Sequence, residues 1–335
     1  MASHNAGVIV VILGLTQQTD GNKYIYTVNE TGDLVRKSVD NINPYLVPGR
    51  NIEIRPARKS ISGTHYMDLG NMPKDGGYLL LSPDEAHTIQ NEYPSSKIFI
   101  FDFVGSQEFV RGSPRYCIWI EDDQLEEARS IDEISIRLDG VRQMRLDSVA
   151  ESTRSYADKA HRFKQIQGRG KNTTIVIPKV SSENRPYLPV GLLSQHSIVS
   201  DNAFALYDAP LWNMALIASR IHLVWIATVC GKMKTDFRYS NTLGWNTFPV
   251  PHLTEQNKVD LTQCAENILL AREAHFPATI ADLYKPEEMP PDLRAAHDHN
   301  DEIFERIYIG RRFNNDTERL EKLFTLYTEM TEASA

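Results

Sequence analysis

The run from Leu211 to Val229 constrains the fold more than any other part of this sequence. Leu, Met, Ala, Ile, Val and Trp fill most of it, with Arg220 and His222 as the main interruptions. A helix that is apolar on nearly every face has to be enclosed by other elements, so the pattern predicts one buried helix with the chain wrapped around it. The next stretch, Gly231 to Pro251, has the opposite character. Lys232, Lys234 and Arg238 are cationic, Asp236, Ser240, Asn241 and Asn246 can accept or donate hydrogen bonds, and Tyr239, Trp245 and Phe248 add flat apolar faces. Phosphates and base edges are recognised by such mixtures. A polar loop pinned between a buried helix and the Pro249-Val250-Pro251 stop is well placed for recognition.

Composition narrows the classes that remain. With 335 residues, 41% of them hydrophobic and 24% charged, the chain reads as an ordinary globular protein of two or three domains. No segment reaches the uninterrupted apolar length of a membrane span, and the N-terminus lacks a basic start before an apolar run, so a cytoplasmic protein is expected. Cys117, Cys230 and Cys264 are far apart and without metal-ligand spacing, which suits reduced core thiols. The net charge of −8 argues at first against a nucleic-acid partner. Its distribution weakens that objection. His252 to Ala335 holds 17 acids against 9 bases, which leaves Met1 to Pro251 neutral, and Arg137 to Arg185 carries 11 bases against 5 acids. That middle segment is a candidate phosphate-tracking face, against the alternative of an ordinary solvated surface.

Taken in order, Ala6 to Leu15 is a continuous apolar, β-branched run that predicts a strand buried on both faces, with Lys23 to Val28 and Leu34 to Val39 as modest partners. Asn43-Pro44-Tyr45 approaches the Asn-Pro-Pro-aromatic motif that holds an adenine amine, but it lacks the second proline and reads as a turn. No Gly-rich turn for S-adenosylmethionine follows a strand, and there is no Glu-x-Lys, so this chain by itself is expected neither to methylate nor to cleave DNA. Lys74, Asp75, Gly76 and Gly77 make either a phosphate loop or a strand-entry turn before a strand at Tyr78 to Leu81. Ser82-Pro-Asp-Glu85 then starts a helix with a capping box. Strands are expected at Lys97 to Val104 and Tyr116 to Ile120, in a mostly β segment, joined by a polar connection bearing Gln107, Glu108, Arg111 and Arg115. Gln124 to Asp132 reads as an acidic, solvent-facing helix. Ile134 to Lys164 looks helical, with Arg142, Arg145, Arg154 and Arg162 available to phosphates. Thr173 to Pro178 is a strand by β-branched content, leading to a polar hairpin tip with Lys179, Ser181, Ser182, Glu183 and Arg185. After Pro251 three amphipathic helices are announced by Thr254, by Pro291 and by Asn315-Asp-Thr-Glu318, and they predict a small bundle packed on the preceding domain. Within them His297 and Asp301 are one turn apart, but with no evident third ligand no metal site is assigned.

The wording GKMKTDFRYSNTLGWNTFPVP at 231–251, with IPKVSSENRPYLPVG at 177–191, GNMPKDGGYLLLSPDE at 70–85 and ADLYKPEEMPPDLRAAH at 281–297, resembles the target-recognition region of the MmeI-like family. Its members are large bacterial adenine-N6 DNA methyltransferases, often fused to a restriction nuclease. The resemblance covers nearly the whole chain and implies an α+β fold. Residues 1–45 would end a methyltransferase domain, 46–252 form a β-rich target-recognition domain, and 253–335 form the helical domain. It implies duplex DNA as partner, together with an upstream methyltransferase part in cis or in trans, with or without a nuclease, and no membrane. No cofactor is expected in this chain, and S-adenosylmethionine would serve the complete enzyme. A module whose acidic helices bind a protein partner is the alternative.

Within this frame Lys234 and Asp236 are the expected base-reading pair. Lysine can donate to the guanine acceptors and aspartate can accept from the cytosine amine, and two residues apart on a strand or extended loop they would point to one side. In the resembled family a charged pair at the matching positions helps to choose one base, which implies a G·C pair here; a surface salt bridge is the alternative. Lys74, Lys179, Ser181, Ser182, Arg185, Lys232, Arg238, Tyr239, Ser240 and Asn241 are the expected DNA contacts. For Arg238, Tyr239 and Asn241 the role is phosphate binding or loop fixing, while Trp245 and Phe248 pack the loop on the core.

Overall fold

The structure, a computed structural model, describes residues 12–17, 21–28 and 33–332. An antiparallel hairpin of β1 (Lys23–Val28) and β2 (Leu34–Val39) comes first, with Lys23 opposite Val39. Ahead of it Ile12, Leu13 and Leu15 are irregular and exposed rather than part of a buried strand. None of the described residues covers them, and a strand buried on both faces needs such neighbours. The rest of the expected strand, residues 6–11, lies outside the described residues. Asn43 then makes a turn, its side-chain carbonyl accepting from Tyr45 N and Val47 N at 2.9 and 3.2 Å.

Two larger sheets follow, and their strands alternate along the chain. β3 (Asp68–Leu69) belongs to one, and β4 (Leu80–Leu81) to the other. Helix α1 (Pro83–Glu92) starts where local chemistry dictates: Ser82 accepts from Glu85 N while Glu85 accepts from Ser82 N. β5 (Ile100–Val104), the short helix α2 (Ser106–Arg111) and β6 (Tyr116–Ile118) come next. The expected β-rich connection is thus helical in its middle. α3 (Leu125–Arg129) falls in the expected acidic helix, while α4 (Asp132–Leu146) and α5 (Glu151–Arg154) replace the single long helix expected over 134–164. β7 (Thr173–Pro178) is followed by β8 (Val180–Ser181), β9 (Gly191–Ser194), β10 (Ser197–Val199) and β11 (Ala203–Tyr207). One sheet has the order β10-β5-β6-β4 and the other β3-β11-β7-β9.

The apolar run folds as α6 (Trp212–Ile217) and α7 (Arg220–Val229), broken at Ala218-Ser219, where Ser219 accepts from His222 N and caps the second helix. β12 (Lys232–Met233) and β13 (Asp236–Arg238) form a hairpin, and β13 also pairs with β8 to make a three-stranded sheet. β7 pairs antiparallel with β9, Val176 opposite Gly191, so 179–185 lie in the connection of a hairpin, and within that connection β8 adds a long-range pairing, Phe237 opposite Ser181. The C-terminal part comprises α8 (Glu255–Glu273), α9 (Ile280–Leu283), α10 (Pro291–Ile309) and α11 (Asp316–Glu332), with Thr254 and Asn315 capping as their sequence signals.

These helices are not a bundle set apart. Trp225, Trp245, Phe248, Phe304 and Leu323 are fully or almost fully buried in one continuous core with α6 and α7. Burial of each such side chain contributes roughly 1.5–3 kcal/mol. A second core lies between the β10-β5-β6-β4 sheet and helices α1 and α4. α2 touches β5, β7 and α9, and so sits at the junction of the two bodies.

Candidate nucleic-acid interface

A cleft of about 760 Å³ opens at that junction. One wall is the β8–β13–β12 sheet, with Lys179, Ser182, Arg185, Met233, Asp236 and Arg238. The opposite wall is α2 and the segment after it, with Gln107, Glu108, Arg111 and Arg115, and Asn202 closes one end. Five basic side chains face two acidic ones. Phe237 is buried between Asp236 and Arg238, so the strand alternation turns both charged side chains to the cleft.

The floor is tied together by one hydroxyl. Ser106 Oγ accepts from Lys179 N at 3.0 Å and donates to the Asn202 carbonyl. From behind, Tyr239 N donates to the Lys179 carbonyl and Arg238 N to the Gly231 carbonyl. Arg185 donates to Ser181 Oγ at 3.2 Å, and burial pushes its pKa down while the nearby Asp236 carboxylate pushes it back up. Lys232 pairs loosely with Glu183 at 3.7 Å. The side chains of Arg111, Lys179, Lys234, Asp236 and Arg238 make no hydrogen bond or ion pair to any described residue.

Several expected contacts are redirected. Lys234 is not on a strand: it is the first of the two residues in the turn between β12 and β13, with φ 58°, the backbone region that two-residue hairpin loops demand. It therefore stands exposed at the hairpin tip and does not share a strand face with Asp236. Asp236 shares that face with Arg238. Tyr239 is buried and shares a hydrogen bond of 3.0 Å with His222 Nε2, which leaves it the loop-fixing role alone. Asn241 likewise fixes the loop, donating to the Met67 carbonyl, and Ser240 accepts from Leu243 N at the start of the π turn Asn241–Trp245. Ser181 is buried beneath Arg185.

Lys74 is exposed on a separate loop and does not line the cleft. In that loop Asp75 is buried and accepts from Leu79 N at 2.6 Å, so a carboxylate already occupies the place a phosphate would need. Arg145 is fully buried, its guanidinium spent on the carbonyls of Pro73, Lys74, Tyr156, Lys159 and Arg162. Arg162 pairs with Glu121, Arg154 with the Ser148 and Val149 carbonyls, and Arg142 lies 3.7 Å from Asp158. The expected phosphate-tracking helix is thus a structural knot.

In the C-terminal region His297 Nδ1 donates to the Ala218 carbonyl, so Nε2 accepts from Tyr284 O–H at 2.6 Å. Burial holds its pKa well below the ordinary value, and a neutral ring with both nitrogens engaged is a packing residue. Among the described residues no group of three or more His, Cys, Asp or Glu could hold a metal ion.

An α+β body with a projecting hairpin and a cleft in which three of five cations are unpaired among the described residues defines a recognition module. Residues 48–252 match the MmeI target recognition domain and residues 253–334 the MmeI C-terminal domain, so the chain belongs to the MmeI family. It is 40% identical over 332 residues to DNA methyltransferase A of Bacillus subtilis (strain 168), covering 99% of this chain and 37% of that protein. It also matches the solved structure of the Type IIL restriction-modification enzyme MmeI in complex with DNA, at 30% identity and a TM-score of 0.81, over 93% of this chain and 42% of that one. The chain thus spans well under half the length of either relative. No described helix is long and apolar enough to cross a membrane.

Proposed function

We propose that this chain selects the DNA sequence on which an adenine-N6 methyltransferase of a restriction-modification system acts. A methyltransferase part, in cis or in trans, would extrude the adenine and transfer the methyl group from S-adenosylmethionine. This chain supplies position and choice. The observation that carries the reading is the cleft: Arg111, Lys179 and Arg238 have no side-chain partner among the described residues, next to a hairpin whose tip and edge carry Lys234, Asp236 and Arg238. An unpaired cation costs little in water and gains by neutralising a phosphate.

Lys234 and Asp236 read one G·C pair, the tip lysine reaching the guanine acceptors and the edge carboxylate accepting from the cytosine amine. The left-handed turn replaces shared strand alternation as the device that brings them to adjacent bases. Lys179, Ser182, Arg185 and Lys232 position the backbone, and Tyr239, Ser240 and Asn241 hold the loop. Selection from a randomised duplex library tests this, using the chain together with its methyltransferase part and the variants Lys234→Ala and Asp236→Ala. A defined motif that relaxes at one G·C position in both variants is expected, at roughly 1–3 kcal/mol of discrimination. A motif unchanged in both would remove the pair from base reading, and no motif at all would remove the function.

A further inference from the structure

We infer that α2 is a second DNA-gripping wall, with Arg111 on a backbone phosphate and Gln107 donating to the same strand. This deepens the proposed function and rests on it. Gln107 and Arg111 are four residues apart and share one helix face; both are exposed and line the cleft across from β13. Arg111 has no ion pair or hydrogen bond to any described residue, whereas Arg115 beside it is held by Glu108 at 3.4 Å and lies over the Phe103 ring.

The rest of α2 is fixed far more firmly than a surface helix needs. Phe109 packs so closely on Gly191 that a Cβ there would come within 2.4 Å of the ring. Glu108 accepts from Gly105 N at 3.0 Å, Ser106 ties the first turn to Lys179 and Asn202, and Gly112 closes the helix at φ 65°. A helix locked on its inner face thus presents an uncommitted guanidinium and amide on its outer one. A duplex that shows its major groove, about 12 Å wide, to the hairpin brings one sugar-phosphate strand towards the opposite wall. Arginine is suited to that contact because its planar fork can bind phosphate with two donors.

The alternative role for Arg111 is to complement the C-terminal end of α2, and the experiment separates the two. In the chain with its methyltransferase part, binding to the selected duplex and to an unrelated one is measured against salt concentration. Arg111→Ala should lower the salt slope by about 0.9, weaken both duplexes equally and leave the selected motif and the melting temperature unchanged, while Arg111→Lys keeps the slope. Gln107→Ala should weaken binding at an unchanged slope, because the amide is neutral. If the parent selects a motif and Arg111→Ala keeps its slope and affinity, α2 is not a DNA wall. A parent that selects no motif overturns the function and this inference together.

Discussion

The seam between α7, α10 and α11 and the cleft between α2 and β13 are both rich in charge, and they differ in how the charge is satisfied. In the seam Glu305 is fully buried and accepts from Arg319 Nε at 2.7 Å and from Phe313 N at 2.9 Å. Arg319 and Arg220 share Asp316, at 2.9 and 2.5 Å, and Asp301 accepts from Arg220 N and from the Tyr187 hydroxyl. Each of these charged side chains has a hydrogen-bond partner within the fold. In the cleft Arg111, Lys179 and Arg238 have none among the described residues. Buried charge is tolerable only when it is neutralised within the fold, whereas charge left open in a groove is neutralised by what binds there. The seam is therefore architecture, and the cleft is the proposed site.

The largest expected effect follows from breaking the seam. Glu305→Ala leaves buried Arg319 with Asp316 alone and Phe313 N without its acceptor, and should cost about 3–5 kcal/mol, read by denaturant unfolding; a loss below about 1 kcal/mol would mean that the network is slack. Asp236→Ala inverts the pattern. Stability should stay within about 0.5 kcal/mol, while discrimination between selected and altered duplexes falls by roughly 1–3 kcal/mol in competition binding. A variant that unfolds instead would place the cleft on the architectural side of the comparison.

pH sharpens the contrast. Burial lowers the His222 pKa to about 3, so as pH falls from 6.5 the unfolded chain takes a proton that the fold refuses, and stability drops across that window. Asp301, raised to about 7 by burial, acts in the opposite sense. Between its ordinary value and 7 the fold keeps a proton that the unfolded chain has lost, so stability falls as pH rises. His222→Gln should reduce the first slope, by something of the order of 1 kcal/mol per pH unit, and Asp301→Asn the second, both seen in melting temperature against pH. DNA selection at neutral pH should be indifferent to Asp301→Asn. The smallest effect is expected from Lys179→Ala, one phosphate contact fewer and a salt slope lower by about 0.9 with the motif intact; an altered motif would make Lys179 a base reader.

What the sequence made legible is local. The caps at Ser82, Thr254 and Asn315 form from residues three or four apart, and β7 is recognisable by its own β-branched content. The cleft is not local. Its two walls are brought together by β8, two residues long, pairing with β13, three residues long, and such strands carry no period to read. Gln107 and Arg111 were visible as polar residues, but nothing nearby in sequence says that 106–111 is a helix facing 179–185. Arg145 shows the converse failure: an arginine on an amphipathic helix looks the same whether its guanidinium meets solvent or five carbonyls. The sequence put Lys234 and Asp236 together in one polar stretch but not their geometry, because a left-handed φ at a lysine has no composition signal.

The most direct test of the central claim is the structure of this chain, with its methyltransferase part, on the duplex it selects. The account predicts DNA lying between α2 and β13, with Asp236 at a base edge and Arg111 on a phosphate. Duplex bound on another face, with the cleft open to solvent, would contradict it.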